Sequence, residues 1–254
     1  MFPLRDENPT ELTPVVTFII IALNVLVWVV VQQAGAGDGY MASLCSLAAI
    51  PADITGSLVA GDVIQLGPDA SCQVSGLGWL TVLTSMFMHG SWMHLIGNMW
   101  FLWVFGNNIE DSMGHIRFVI FYLLCGVLAS MAHILTDPGS VVPTVGASGA
   151  ISGIMGAYLV LYPRVRVQTL FFLVFFIRVI PLPAWVLLIQ WIVLQVLSGV
   201  STYGAEGGGV AFWAHIGGFV AGVVLIKLFQ RPQLVTAKRN HVQLPREDLL
   251  RLRW

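Results

Sequence analysis

The sequence predicts an all-α, polytopic membrane protein, a bundle of six spanning helices with both termini cytoplasmic. Three observations carry this. Of 254 residues, 57% are hydrophobic and only 10% charged, a membrane-protein composition. Several apolar runs approach the roughly 20 residues needed to cross a bilayer core. Lys and Arg also sort to one side of a six-span arrangement, as cytoplasmic segments do.

The first fourteen residues, MFPLRDENPTELTP, are polar and mildly acidic, without the basic start and short apolar core of a cleaved signal. The first span is expected at Pro14 to Gln33. Residues 34–78 read as a long outer loop rich in Gly, Asp and Ser, with Pro51, Pro68 and short apolar patches. Trp79 to Met88 forms an aromatic-bearing entry to a second span, His89 to Gly106. A third span covers Ile116 to Leu135, and a fourth runs from about Ser148 to Pro163. Arg164 to Pro183 is apolar but broken by Arg178 and two prolines, which suggests a re-entrant or interfacial connection. Ala184 to Val200 and Ala211 to Phe229 are the fifth and sixth spans. The expected division is a cytoplasmic segment 1–14, a six-helix domain 15–229 and a basic cytoplasmic tail 230–254.

In this arrangement Arg5, Arg117, Arg164, Arg166, Arg178, Lys227, Arg231, Lys238, Arg239, Arg246, Arg251 and Arg253 share one side. Those are all 12 basic residues. The other side carries Asp38, Asp53, Asp62, Asp69, Asp137 and Glu206. Five or seven spans would break this sorting. Cys45 and Cys72 fall in the outer loop, where a disulfide and two free thiols are both open readings.

Polar groups at membrane depth are costly and are therefore functional candidates. The fourth span opens with GASG, in which Gly146 and Gly149 flank Ser148. Glycines there let a substrate backbone approach and leave the hydroxyl unobstructed, while orphan N–H groups of the first turn face any negative charge that forms. Small residues also open many membrane helices for packing alone. Depth adds to the motif. At about 1.5 Å per residue, Ser148 and His94 lie about 22 Å, His215 about 18 Å and Asn98 about 16 Å above the cytoplasmic ends of their helices. In a core about 30 Å thick these four share one layer. Small residues recur every fourth position at Ser148, Ser152 and Gly156 and at Ala214, Gly218 and Gly222, faces that let membrane helices pack closely. The expected chemistry is acyl transfer to water by a Ser148–His215 dyad, His215 taking the serine proton. An oxyanion hole would come from the Ser148 N–H, Asn98 and His94. His115 and His241 are expected to be solvated, and His133 to pack or hydrate near the outer end of the third span. A metal reading of His89, His94 and His133 lacks a nearby carboxylate or an HExxH pattern.

Taken together, GASGAISG, HGSWMHLIGN and AHIGGFVAG resemble the rhomboid family of intramembrane serine proteases, from about Val15 to Phe229. The resemblance implies a rhomboid-like six-helix bundle, Ser148 as nucleophile, His215 as base, His94 and Asn98 as oxyanion residues and His89 in support. It implies water entering from the outer face and lateral entry of substrates near the second and fifth spans. It also implies transmembrane protein substrates cut at small side chains, in a lipid bilayer, without cofactor, metal or nucleic acid partner; no oligomeric state follows. A multi-pass protein of a prokaryotic plasma membrane is the expected location. Two positions depart from the family. Ser152 stands where many members carry an aromatic that stacks on the base, and Trp79-Leu80 where a Trp-Arg pair is typical. Gly106 and Glu110 resemble a structural Gly and Glu following the second span. A catalytically silent relative that captures transmembrane clients is the competing reading.

Overall fold

The structure, a computed structural model, describes residues 1–67, 70–173, 176–203, 210–240 and 242–252. Pro68, Asp69, Glu206, His241 and Arg253, which entered the reading of loops and charges, lie outside the described residues.

The chain begins with strand β1 (Phe2–Asp6) and helix α1 (Val15–Leu26), which continues as a π-helical turn, Val27–Val31. The long outer loop is folded. It holds helices α2 (Gly37–Leu47) and α3 (Pro51–Ile54) and the hairpin β2 (Val63–Gly67) and β3 (Ala70–Gln73). A Cys45–Cys72 disulfide, with Cα atoms 5.2 Å apart, joins α2 to the hairpin. Beneath it Ile50, Ala52, Ile64 and Val74 make a small core of their own. The short α4 (Leu80–Thr84) leads into α5 (Trp92–Met113), α6 (His115–Thr136) and α7 (Ser148–Leu161). Then come strands β4 (Arg166–Leu173) and β5 (Phe176–Pro183) and helices α8 (Ala184–Ser201), α9 (Phe212–Phe229), α10 (Pro232–Arg239) and α11 (Arg246–Leu252).

By length and composition, α6, α8 and α9 can each cross a membrane, and Val15–Val31 and α7 are shorter apolar helices. Helix α7 is the hub, packed against α5, α6, α8 and α9. Every residue from Gly149 to Tyr158 is buried, the pattern of a helix enclosed on all sides. Helices α7 and α9 meet backbone to backbone. A Cβ on Gly218 would overlap the carbonyl oxygen of Gly149, one on Gly222 that of Gly153, and one on Gly156 that of Phe219. Gly218 and Gly222 of the α9 stripe are therefore met by Gly149 and Gly153, one step round α7 from Ser148 and Ser152, while Gly156, the third member of the face that the sequence suggested, does meet α9, at Phe219. Ser152 instead turns its hydroxyl back to donate to the Ser148 carbonyl at 2.6 Å, a local bond open to serine inside a helix.

Two small sheets correct the purely helical expectation. β1, β4 and β5 form an antiparallel sheet in that order, with Phe2 opposite Leu170 and Asp6 opposite Val167. The segment read as re-entrant or interfacial is thus a β-hairpin. Its signal is the alternation in RVQT, where Val167 and Thr169 are buried and Arg166 is exposed, the period of a half-buried strand.

One end of the bundle holds a dense polar cluster. Glu110 accepts from the N–H groups of Val16 and Thr17, at 2.9 and 2.8 Å, and from the Thr17 hydroxyl at 2.7 Å, capping the start of α1. His115 lies 2.5 Å from the same carboxylate and is only 1% exposed, which corrects its reading as a solvated interface residue. Buried Glu110 and Asp111 explain why α5 runs seven residues beyond the Gly106 boundary: their partners satisfy them. Asp6 Oδ2 accepts from Tyr158 and Asn108, and Lys238 donates to Asn108 and Asp111, so the first strand and α10 meet at this end. Burial pushes the Asp6 carboxyl up to about 6, partly opposed by the Tyr158 hydrogen bond and by Lys238. Burial also lowers the Lys238 ammonium, with Asp111 acting against it. Arg117, Arg231 and Arg239 donate to the last carbonyls of α9, α5 and α7, where a helix end favours cations.

Candidate active site

Ser148 is the first residue of α7, so its N–H is one of the four that a helix start leaves without an intrahelical partner. Gly146 precedes it at φ +131°, a backbone region that side chains rarely adopt. A Cβ there would stand 2.9 Å from His94 Cε1 and Nε2 and 3.5 Å from Ser148 Oγ. Gly146 thus keeps open the space between the serine and the histidine of α5. Gly149 has a different task, since a Cβ there would press on the Ala129 methyl at 2.6 Å. It serves the packing of α7 on α6. The Gly146 N–H donates to Ser85 O at 2.9 Å, and Ala49 pairs with Thr144, which ties the segment before Ser148 to the outer loop.

On α9, His215 Nε2 lies 2.8 Å from Ser148 Oγ, within hydrogen-bond reach. Its other nitrogen, Nδ1, lies 2.7 Å from Gln195 Oε1 on α8. An amide oxygen only accepts, so Nδ1 carries the proton and Nε2 presents a lone pair to the Ser148 hydroxyl. The indole of Trp191, one turn before Gln195, lies 5.7 Å from the imidazole at an interplanar angle of 38°. The sequence reading missed both α8 residues. Their signal was present: Trp191 and Gln195 are four apart and share one face of the fifth apolar run.

Asn98 is buried, and its Nδ2 has no hydrogen-bond partner among the described residues. A buried amide donor left unmade costs about 1–3 kcal/mol, and such a group calls for an explanation. His94 Nδ1 accepts from the Gly90 N–H at 3.2 Å, leaving Nε2 as the protonated nitrogen on the side of Gly146. Ser91 caps α5 by accepting from the His94 N–H at 3.1 Å. His89 is fully buried and stands edge-on to His94, ring centres 5.1 Å apart. Gln32 clasps the His89 backbone from both sides, at 2.8 Å each. His133 is half-buried on α6. Beside Ser148 a small pocket is lined by Met86, Gly126, Ala129, Gly146, Gly149 and Ala214.

Fold and site together define a helical membrane protein that sets a serine against a histidine at the meeting of two closely packed helices. The Rhomboid domain profile matches residues 77–232, and the chain belongs to the rhomboid family. Among its relatives is Rhomboid-like protein 11, chloroplastic, of Arabidopsis thaliana, 38% identical over 76 residues, covering 30% of this chain and 27% of that protein. Rhomboid protein 1, mitochondrial, of Saccharomyces cerevisiae is 26% identical over 149 residues, covering 57% of this chain and 40% of the other. Rhomboid protease GluP of Bacillus subtilis is 28% identical over 146 residues, covering 58% and 24%. The matched parts thus span between 24% and 40% of the length of these relatives. The expected prokaryotic plasma membrane is corrected by these matches. The finding against it is that relatives from yeast, Arabidopsis and mouse are named mitochondrial or chloroplastic.

Proposed function

We propose that this chain is an intramembrane serine endopeptidase that hydrolyses peptide bonds in or near transmembrane segments of other membrane proteins. The observation that carries the reading is the 2.8 Å contact between Ser148 Oγ and His215 Nε2. The Ser148 oxygen attacks the scissile carbonyl carbon as its proton passes to His215 Nε2. The tetrahedral oxyanion is held in this reading by the Ser148 N–H, by His94 Nε2–H and by Asn98 Nδ2, which has no partner among the described residues. Collapse breaks the C–N bond, and the leaving amine takes the proton from His215. Water then attacks the serine ester, giving its proton to the same nitrogen, and the carboxyl product leaves with Ser148 restored. The small side chains around the adjoining pocket suit small residues at the cut.

In this reading residues 15–229 are the protease domain. Its six spans are α1 with its π-turn and α5 to α9. The bonds that Asp6 and Lys238 both make to Asn108 support a common, basic side for the two flanking segments 1–14 and 230–254 of this reading. The kinship to Rhomboid protease GluP supports the activity.

The competing reading, a silent relative that only captures transmembrane clients, draws on the small-residue faces but leaves the unpartnered Asn98 donor without a use. Labelling by a fluorophosphonate separates the two. The protease reading expects a covalent adduct on Ser148 that is lost in Ser148→Ala; an unlabelled wild-type protein supports the silent one.

A further inference from the structure

We propose that Gln195, with Trp191, is the positioning partner of His215, so that the expected Ser148–His215 dyad is oriented by a third helix. The inference rests on the protease reading and deepens it. A base on a helix with one free ring nitrogen has two tautomers and a rotatable χ2, and only one combination accepts the serine proton. The two nitrogens of His215 are engaged at 2.8 Å by Ser148 and at 2.7 Å by Gln195. Because Oε1 cannot donate, that second bond selects the tautomer with Nε2 unprotonated. Trp191 covers the ring on one side and also stacks near Phe219, 6.2 Å away, so its own position is fixed by α9. Ser152, the position from which an aromatic could have covered the imidazole, is used up by its bond to the Ser148 carbonyl. The ring therefore comes from α8 instead of α7.

Gln195 has no comparable structural duty. Helix α8 exposes Trp185, Ile189, Val193, Leu194 and Leu197. Among the described residues, its side-chain hydrogen bond to another element is the one that Gln195 Oε1 accepts from His215 Nδ1. Of the two glutamines on this mainly apolar helix, Gln190 is exposed, whereas Gln195 is partly buried against α9, where a polar side chain is costly unless it is used. The other titratable groups that face His215 are His94 from α5 and His133 from α6; α7 contributes Ser148, and α8 contributes only Trp191 and Gln195. Among the described residues none of these is a carboxylate, so introducing one at position 195 adds a negative charge next to the imidazole.

The test is the second-order rate of fluorophosphonate labelling of the full chain in liposomes, measured from pH 5 to 9 for wild type, Gln195→Leu and Gln195→Glu, with thermal unfolding of each. Gln195→Leu roughly keeps the size and suits the apolar helix but cannot accept a hydrogen bond; labelling is expected to slow by about tenfold or more with unfolding temperature held. Gln195→Glu accepts the same bond, and is expected to label within about threefold of wild type. Its half-maximal rate shifts to higher pH, because a carboxylate stabilises the imidazolium. Should Gln195→Leu itself unfold early, the pH shift and retained rate of Gln195→Glu decide. Wild-type labelling by both variants without a pH shift overturns the inference alone. So does equal slowing of both. A wild-type protein that does not label overturns the protease reading and this inference together.

Discussion

Gly222 of α9 faces the carbonyl oxygen of Gly153 on α7 so closely that a methyl group has no room between them. One turn earlier Gly218 meets Gly149 in the same way, and one residue before Gly149 stands Ser148. The separation of Ser148 and His215 is therefore set by contact of two backbones, which deforms far less than contact of long side chains.

Gly222→Ala is accordingly expected to force α7 and α9 apart. Overpacking costs about 1–3 kcal/mol, and misplacement of the two reacting groups by about 1 Å can cost about 100-fold in rate. Thermal unfolding and fluorophosphonate labelling should both fall. Unchanged labelling would show that the helix contact does not set the site.

This contact also shows how far the sequence could be read. The stripe Ala214, Gly218 and Gly222 was visible, and so was a small-residue stripe on the fourth span. Which α7 residues it meets was not, because GASGAISGIMG offers two such faces and, with every residue from Gly149 to Tyr158 buried, only the backbone approaches of Gly149 and Gly153 to α9 distinguish them. Gln195 does not stand out in the sequence because it is one of two amides in the fifth apolar run, with Gln190, and only the neighbour each meets separates them. The sheet escaped notice because β1 pairs with strands about 160 residues later, a contact without a local signal beyond the RVQT alternation. His115 read as a surface residue because its partner, Glu110, lies across a helix break at Gly114, whose φ of +83° turns the chain.

Asn98→Ala removes a donor that has no other partner. The loss expected is about 10²–10³-fold in kcat with KM little changed, as for an interaction made only in the transition state. Kinetics on a reconstituted single-span substrate check it. A rise in KM at constant kcat would place Asn98 in substrate binding instead.

Glu110 caps α1 and holds His115 with both oxygens buried. Glu110→Ala leaves those donors and His115 without their acceptor, a class of change that costs about 3–5 kcal/mol. Unfolding of the variant in detergent should come well below wild type. An equal unfolding temperature would mean that this cluster does not hold α1 to the bundle.

Asp6 gives the protein a pH dependence of definite sign. Burial raises its folded carboxyl to about 6 from an ordinary 3.8, so between those values the folded state binds more protons than the unfolded one. Stability from this group is greatest below 3.8 and declines as pH rises through about 6. Asp6→Asn keeps an acceptor for Tyr158 and Asn108 but cannot ionise. The difference in unfolding temperature between variant and wild type should grow in favour of Asn from pH 4 to pH 7. A constant difference across that range would contradict the assignment.

The account stands most directly on cleavage of a single-span membrane protein by the purified chain reconstituted in liposomes, wild type beside Ser148→Ala. It predicts a specific cut by the wild type and loss of at least about 10³-fold in the variant, the residual effect of binding and oxyanion groups without a nucleophile. Equal cleavage by the two proteins would contradict it.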